Sequence, residues 1–215
     1  MKRIEVVKAF RVPSKAEIKK TNRIQAEFFG GLTEVFDPPL PEGVPERLET
    51  IVKSARVAMS DVVLDVGTGT GILIPLIHAC EPKKILACDL SEAMLTRLHE
   101  QYSYVETFVS DVRDLSLPDR SVNVVFLNAC YPNIVDKRKS FQNISRMMNS
   151  GGRMVISHPM GKSFIDALRE KSPFPLDGFP ERQEANTLFR PYQFDIESFV
   201  DEPELYILVA TKHGD

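Results

Sequence analysis

The residues best equipped for chemistry lie in one stretch, Val62-Val63-Leu64-Asp65-Val66-Gly67-Thr68-Gly69-Thr70-Gly71. Val62 to Val66 is an apolar, β-branched run carrying a single carboxylate, the pattern of a parallel strand covered on both faces. Gly67, Gly69 and Gly71 then remove three Cβ atoms in five positions, so backbone N–H groups ahead of the next helix can approach a ligand closely. A small cofactor is the natural occupant. A dinucleotide fingerprint needs glycine in the first, third and sixth places, and counting from Gly67 the sixth is Ile72.

Further candidates close later strand-like runs. Asp89 follows Ile85 to Cys88, and Asp111 follows Glu106 to Val109 by two residues. A carboxylate there can accept hydrogen bonds from ligand hydroxyls or cap the next helix, so each aspartate has two readings. Asn128 ends Val122 to Leu127 and leads into Ala129-Cys130-Tyr131, where Tyr131 is either an acceptor-side residue or a cap on the core. His158 follows Arg153 to Ser157. Its ordinary pKa of about 6.5 suits a general base at neutral pH, the alternative being a histidine bonded to a loop carbonyl. His78 and His99, in crossover helices, and His213 read as structural or exposed. Cys80, Cys88 and Cys130 are far apart with no pair at metal-ligand spacing, so no metal is expected.

The run Asp65-x-Gly67-x-Gly69-x-Gly71 resembles motif I of the class I S-adenosylmethionine-dependent methyltransferases. The resemblance extends to Asp89 with Leu90-Ser91-Glu92-Ala93-Met94-Leu95, to Val109-Ser110-Asp111-Val112-Arg113-Asp114-Leu115, and to Val122 through Asn128. It covers roughly Phe28 to His213 and is strongest from Val62 to Asn128. It implies S-adenosyl-L-methionine as cofactor and S-adenosyl-L-homocysteine as product. On that resemblance Gly67, Thr68, Gly69, Gly71 and Asp65 take the methionine portion, with Asp65 toward its ammonium group. Asp89 takes the ribose hydroxyls, Asp111 and the Val112 backbone the adenine edge, and Asn128 flanks the sulfonium. Leu90 and Met94 pack either on the adenine ring or in the core.

Asn128-Ala129-Cys130-Tyr131 keeps the outer residues of the Asn-Pro-Pro-Tyr motif of amino-group methyltransferases without its prolines. That points away from nucleobase methylation and toward a small organic acceptor. Methyl transfer is an in-line displacement in which the cofactor supplies the electrophile and leaving group, so the protein mainly aligns and shields. Two other readings are an NAD(P)-dependent oxidoreductase, which Ile72 opposes, and a protein that binds S-adenosylmethionine without turnover.

These residues need a scaffold. At 215 residues one domain with a sizeable core is the expectation. Hydrophobic content of 43% with 27% charge, and no long apolar run, points to a soluble protein with no membrane partner. Glu5 and Lys8 interrupt the start of the chain, so no secretory signal is expected. The scattered, odd cysteines suit a reducing cytoplasm. A formal charge of −3 argues against nucleic acid, and the cluster Lys15, Lys19, Lys20, Arg23 reads as a solvated helix face. Nothing in the composition sets an oligomeric state.

Residues 1–60 are expected to form a helical cover and 62–213 a Rossmann-like core. In the cover, Ser14 and Glu17 have capping-box spacing, with Ile18, Ile24 and Phe28 on one side of the helix that follows. Phe28, Phe29 and Phe36 either line a lid or cover the sheet. A second helix is expected over Glu46 to Ala58, and others over Ile72 to Ala79, Glu92 to Tyr102, Lys137 to Asn149, Ser163 to Lys171 and Glu181 to Phe189. Strand and helix alternate, which produces a parallel sheet with helices on both faces. Phe194 to Val200 and Glu204 to Thr211 form a C-terminal antiparallel hairpin. The resemblance implies seven strands in the order 3-2-1-4-5-7-6. Phe174, Phe179, Phe189 and Tyr192 either wall an acceptor pocket or fasten a loop.

Overall fold

A computed structural model describes residues 10–33 and 39–214, so the expectations for Phe36 and for the start of the chain at Glu5 and Lys8 lie outside the described residues. Seven strands form one sheet in the order β3-β2-β1-β4-β5-β7-β6. They are β1 (Val62–Val66), β2 (Lys84–Asp89), β3 (Glu106–Val109), β4 (Val122–Asn128), β5 (Met148–His158), β6 (Phe194–Glu202) and β7 (Leu205–Lys212). The first five run parallel, and β7 pairs antiparallel with both β5 and β6. This is the expected Rossmann-like order and hairpin.

Alternation along the central strands feeds two cores. Leu64, Val66, Val125 and Leu127 face one side, where α5 (Lys137–Met147) and α7 (Arg182–Phe189) supply Phe141, Ile144, Leu188 and Phe189. Val63, Val124 and Phe126 face the other side, against Leu48 and Ile51 of α2 (Val44–Ser54), Ile74 and Ile77 of α3 (Ile74–His78), and Leu95 and Leu98 of α4 (Glu92–Gln101). The sequence therefore buries both faces of the parallel strands, and their carboxyl ends are left to form a cleft.

Three local expectations are corrected. The helix expected to run to Asn149 ends at Met147, and β5 begins at Met148 and passes through Gly151 and Gly152. Its pairing with β4 shifts register between Val122 and Val124, which absorbs the glycine segment as an irregularity of the strand rather than a helix stop. The helix expected from Ile72 starts at Ile74, because Gly71, at φ +92°, is still in the turn. In α1 (Lys15–Gly30) the buried residues are Ile18, Thr21 and Gln25, whereas Phe28 is 41% exposed. The stripe that α1 buries is thus largely polar. The remaining helix, α6 (Gly161–Arg169), follows β5.

Candidate active site

The glycine turn after β1 is a spring held shut by its own donors. The Gly67 and Thr68 N–H groups both donate to the Cys88 carbonyl (2.8 and 3.3 Å), Gly69 N–H donates to Asp89 Oδ2 (3.0 Å), and Gly71 N–H donates to the Thr68 carbonyl (3.0 Å). The expectation that these N–H groups are offered to a ligand is narrowed, since those of Gly67, Thr68, Gly69 and Gly71 are already spent inside the protein. The glycines act instead by shape. Gly67 adopts φ +62°, and a Cβ there would lie 2.6 Å from Cys130 Cβ. Gly69, at φ +57°, has nothing within 4 Å of where its Cβ would be, so it opens onto free space. The N–H groups of Thr70 and Ile72, which also line the cleft, bond no described residue.

Three carboxylates stand at the ends of neighbouring strands. Asp65, 2% exposed, accepts from Thr68 Oγ1 (2.7 Å). Burial pushes its pKa up to about 7, with the Thr68 bond opposing and the Asp89 charge adding to the rise. Asp89 accepts from Gly69 N–H and, through Oδ1, from Ser91 N–H (2.9 Å). Asp111 accepts from Arg113 N–H (3.0 Å) and from Asn22 Nδ2 of α1 (2.7 Å). Burial raises both of these carboxyls, and those bonds oppose it. Asn143 Nδ2 holds the Val112 and Leu115 carbonyls (2.8 and 2.9 Å) and so fixes the loop that carries Asp111.

These groups border a cleft of about 370 Å³, within the range of small-molecule sites. Of the sequence-derived candidates, Asp65, Gly67, Thr68, Gly69, Asp89, Leu90, Met94, Asp111, Val112, Asn128 and His158 line it. Among the described residues no group of three or more His, Cys, Asp or Glu side chains could hold a metal ion, and no helix is long and apolar enough to cross a membrane.

Residues 63–152 match a family described as "Methyltransferase domain". Over that segment the chain is a methyltransferase domain. A malonyl-[acyl-carrier protein] O-methyltransferase of Marinomonas sp. (strain MWYL1) is 32% identical to it over 114 residues, covering 51% of this chain and 42% of that protein. The chain spans about half the length, or less, of the first curated relatives it matches. Among solved structures, an S-adenosylmethionine-dependent methyltransferase from Aquifex aeolicus is similar with a TM-score of 0.67 at 21% identity, over 84% of this chain and 97% of that one. A geranyl diphosphate C-methyltransferase from Streptomyces coelicolor, solved with S-adenosyl-L-homocysteine, has a TM-score of 0.69 at 15% identity, over 89% and 98%. At such identities the structural likeness concerns the fold.

Within the methyltransferase domain, two candidates lie away from the cleft walls. Gly71 is a packing position, where a Cβ would meet Ile74 at 3.0 Å and Leu98 at 3.2 Å. Tyr131 is 2% exposed and stacks on Phe179 at 5.6 Å, with Lys137 Nζ 4.8 Å over its ring. The aromatic residues weighed as an acceptor wall are fasteners. Phe174 packs on Phe28 and Phe29 of α1, Phe179 on Tyr206, and Phe189 and Tyr192 on Phe141. His78 lies against Tyr104, and His213 Nε2 pairs with Asp195 (2.7 Å).

Several lining residues escaped the sequence reading. Asn22, Gln25 and Ala26 of α1 roof the cleft together with Phe29, which was weighed as a lid residue, and Gln25 Nε2 donates to the Asn133 carbonyl (2.8 Å) beyond β4. The available signal was Thr21 and Gln25 at helical spacing from Ile18, polar residues on the face where a purely structural helix would carry apolar ones. Leu40, Pro41 and Val44 complete one wall, and Ile134, Val135, Met160 and Phe164 another.

Proposed function

We propose that the cleft binds S-adenosylmethionine and that the protein transfers the methyl group to a small organic acceptor, in the cytoplasm. The carrying observation is the row of three carboxylates at the ends of β1, β2 and β3, around a glycine turn that opens at Gly69. The residues fit the group by charge and by shape: carboxylates for a cationic ligand, and open space at Gly69 where a ligand can pass close to the backbone.

When bound, that cofactor supplies a methyl group on a positively charged sulfur. Asp65 sits where it can hold an ammonium group, and a cation beside it favours the ionised carboxylate that burial alone disfavours. Asp89 keeps lone pairs beyond its two backbone bonds for ribose hydroxyls, each charge-assisted bond contributing about 1.5–3 kcal/mol. Asp111 and Val112 border the adenine end, with Leu90 and Met94 against the ring. Residues 10–33 act as a cover over a core starting at Val62, the whole being one functional unit. The α1 roof excludes water from the reacting atoms and holds the two reactants together. The Marinomonas relative is named for a carrier-bound acceptor, so the extract used to find the acceptor needs both small and macromolecular fractions.

The test is incubation with methyl-labelled S-adenosylmethionine and a fractionated cell extract. Label in small organic products is the expected result. Label confined to protein or nucleic acid rejects the acceptor class, and no transfer to any fraction rejects the enzyme.

A further inference from the structure

The acceptor side of the cleft is built from donors. His158 ends β5, and its Nδ1 accepts a hydrogen bond from Met160 N–H (3.1 Å). A backbone amide can only donate, so Nδ1 carries the lone pair and the neutral ring holds its proton on Nε2. Burial alone pushes the imidazole pKa down to about 4, so the ring stays neutral through the physiological range. Phe164 and Phe179 flank it, with ring centroids at 5.3 and 5.9 Å. Nε2 bonds no described residue, and His158 lines the cleft. One strand over, in register with Ser157, Asn128 accepts from Ser157 Oγ through Oδ1 (3.0 Å) and so keeps its Nδ2 amide as a donor on the same wall. Ala129, at φ +56°, donates its N–H to the Ser157 carbonyl (2.8 Å), which fixes the bend that presents Asn128.

The other titratable groups of this cleft are poor bases for an acceptor. Cys130 donates its thiol to the Val66 carbonyl (3.0 Å), and burial keeps it and Cys88 protonated. Asp89 and Asp111 accept backbone bonds at the cofactor end, and Asp65 is committed to the ammonium group in the reading above, on which this inference rests. No lysine, arginine or glutamate lines the cleft among the described residues.

We infer that His158 Nε2–H and Asn128 Nδ2–H donate hydrogen bonds to an acceptor that has given up its proton to water before it arrives, an acidic enol, phenol or thiol rather than an alcohol that needs a protein base. The anion's lone pair forms the new bond to the methyl carbon, and the carbon–sulfur bond breaks with its electron pair kept by sulfur. The proton is already in solvent. His158 is then a specificity-determining donor, and the sulfonium charge balances the anion.

The test uses 4-nitrophenol, whose anion is yellow, titrated into protein saturated with S-adenosylmethionine, with His158→Gln and His158→Phe alongside. Glutamine keeps an N–H donor and is no base; phenylalanine keeps only the shape. Expected results are preferential binding of the yellow phenolate, affinity of His158→Gln within about threefold of wild type, and at least a tenfold loss in His158→Phe. In ¹⁵N NMR the His158 ring of the wild type should hold its proton on Nε2 and stay neutral between pH 6 and 8. Preference for the neutral phenol, no phenolate binding, equal losses in the two variants, or a ring that titrates near neutrality overturns the inference. Calorimetry with S-adenosylhomocysteine on the same samples separates the two levels: no binding there sinks the cofactor reading itself, and binding there with a failed phenolate test sinks this inference alone.

Discussion

Asn22 Nδ2 on α1 lies 2.7 Å from Asp111 Oδ2 beyond β3, a bond across 89 positions of sequence that fastens α1 to the loop after β3 at the edge of the cleft. With Gln25 bonded to the Asn133 carbonyl, it gives α1 two polar attachments where a purely structural helix would use apolar contacts. A roof held by hydrogen bonds exchanges protein partners for water at modest net cost, about 1 kcal/mol per bond, and is therefore able to open. Asn22→Leu with Gln25→Leu should speed amide hydrogen exchange in α1 by about tenfold and raise the dissociation rate of S-adenosylhomocysteine by a similar factor, with the sheet's exchange unchanged. Unchanged exchange in α1 would show that other contacts hold it.

The two glycines that open the turn should fail differently. Gly69→Ala adds a methyl group to open space and a left-handed strain of about 1–2 kcal/mol, so it should fold with a lowered Tm and lose most cofactor affinity. Gly67→Ala adds the same strain plus a collision with Cys130, 2.6 Å away, and should be the less stable protein. Melting curves and calorimetry on both variants check the order. Full affinity in Gly69→Ala would mean that no ligand passes this face of the turn.

Asp65 sets a pH dependence with a definite sign. Its carboxyl, raised to about 7, is largely protonated below neutrality in the free protein, whereas a bound ammonium group requires the carboxylate. Binding therefore releases a proton at low pH. Affinity for S-adenosylhomocysteine should rise by roughly tenfold per pH unit below 7 and level off above it. Asp65→Asn should bind more weakly and show no such slope. Titrations from pH 5.5 to 8.5 decide this, and a slope of the opposite sign would remove Asp65 from the ammonium site.

Tyr131 is buried against Phe179 and Phe141, and its hydroxyl is pushed up by burial, so it is no proton carrier near neutral pH. Tyr131→Phe should leave kcat within about threefold once the acceptor is known. A loss of a hundredfold or more would return Tyr131 to the reaction.

The carboxyl ends of the parallel strands were legible because the apolar runs are short, β-branched and separated by helical spacing, whereas the strand order followed from the resemblance to the methyltransferases. Asp65, Asp89 and Asp111 were legible because carboxylates at strand ends interrupt those runs. The roof was not, since Asn22 and Gln25 act through partners 89 and 108 positions away that no local pattern encodes. The role of the glycine N–H groups was also hidden. The acceptors of Gly67 and Gly69, the Cys88 carbonyl and the Asp89 carboxylate, come from the next strand. His158 could be placed at a strand end, but its tautomer depends on Met160 N–H, a contact set by the turn after β5.

The most direct measurement is calorimetric titration of S-adenosylhomocysteine into the wild-type protein and Asp89→Asn, which keeps one oxygen for one of the two backbone bonds that Asp89 makes and removes the charge. The account predicts saturable one-to-one binding to the wild type and an affinity at least tenfold lower in the variant, with both proteins folded by circular dichroism. Folded wild-type protein that gives no saturable heat, or equal affinity in the two proteins, would contradict it.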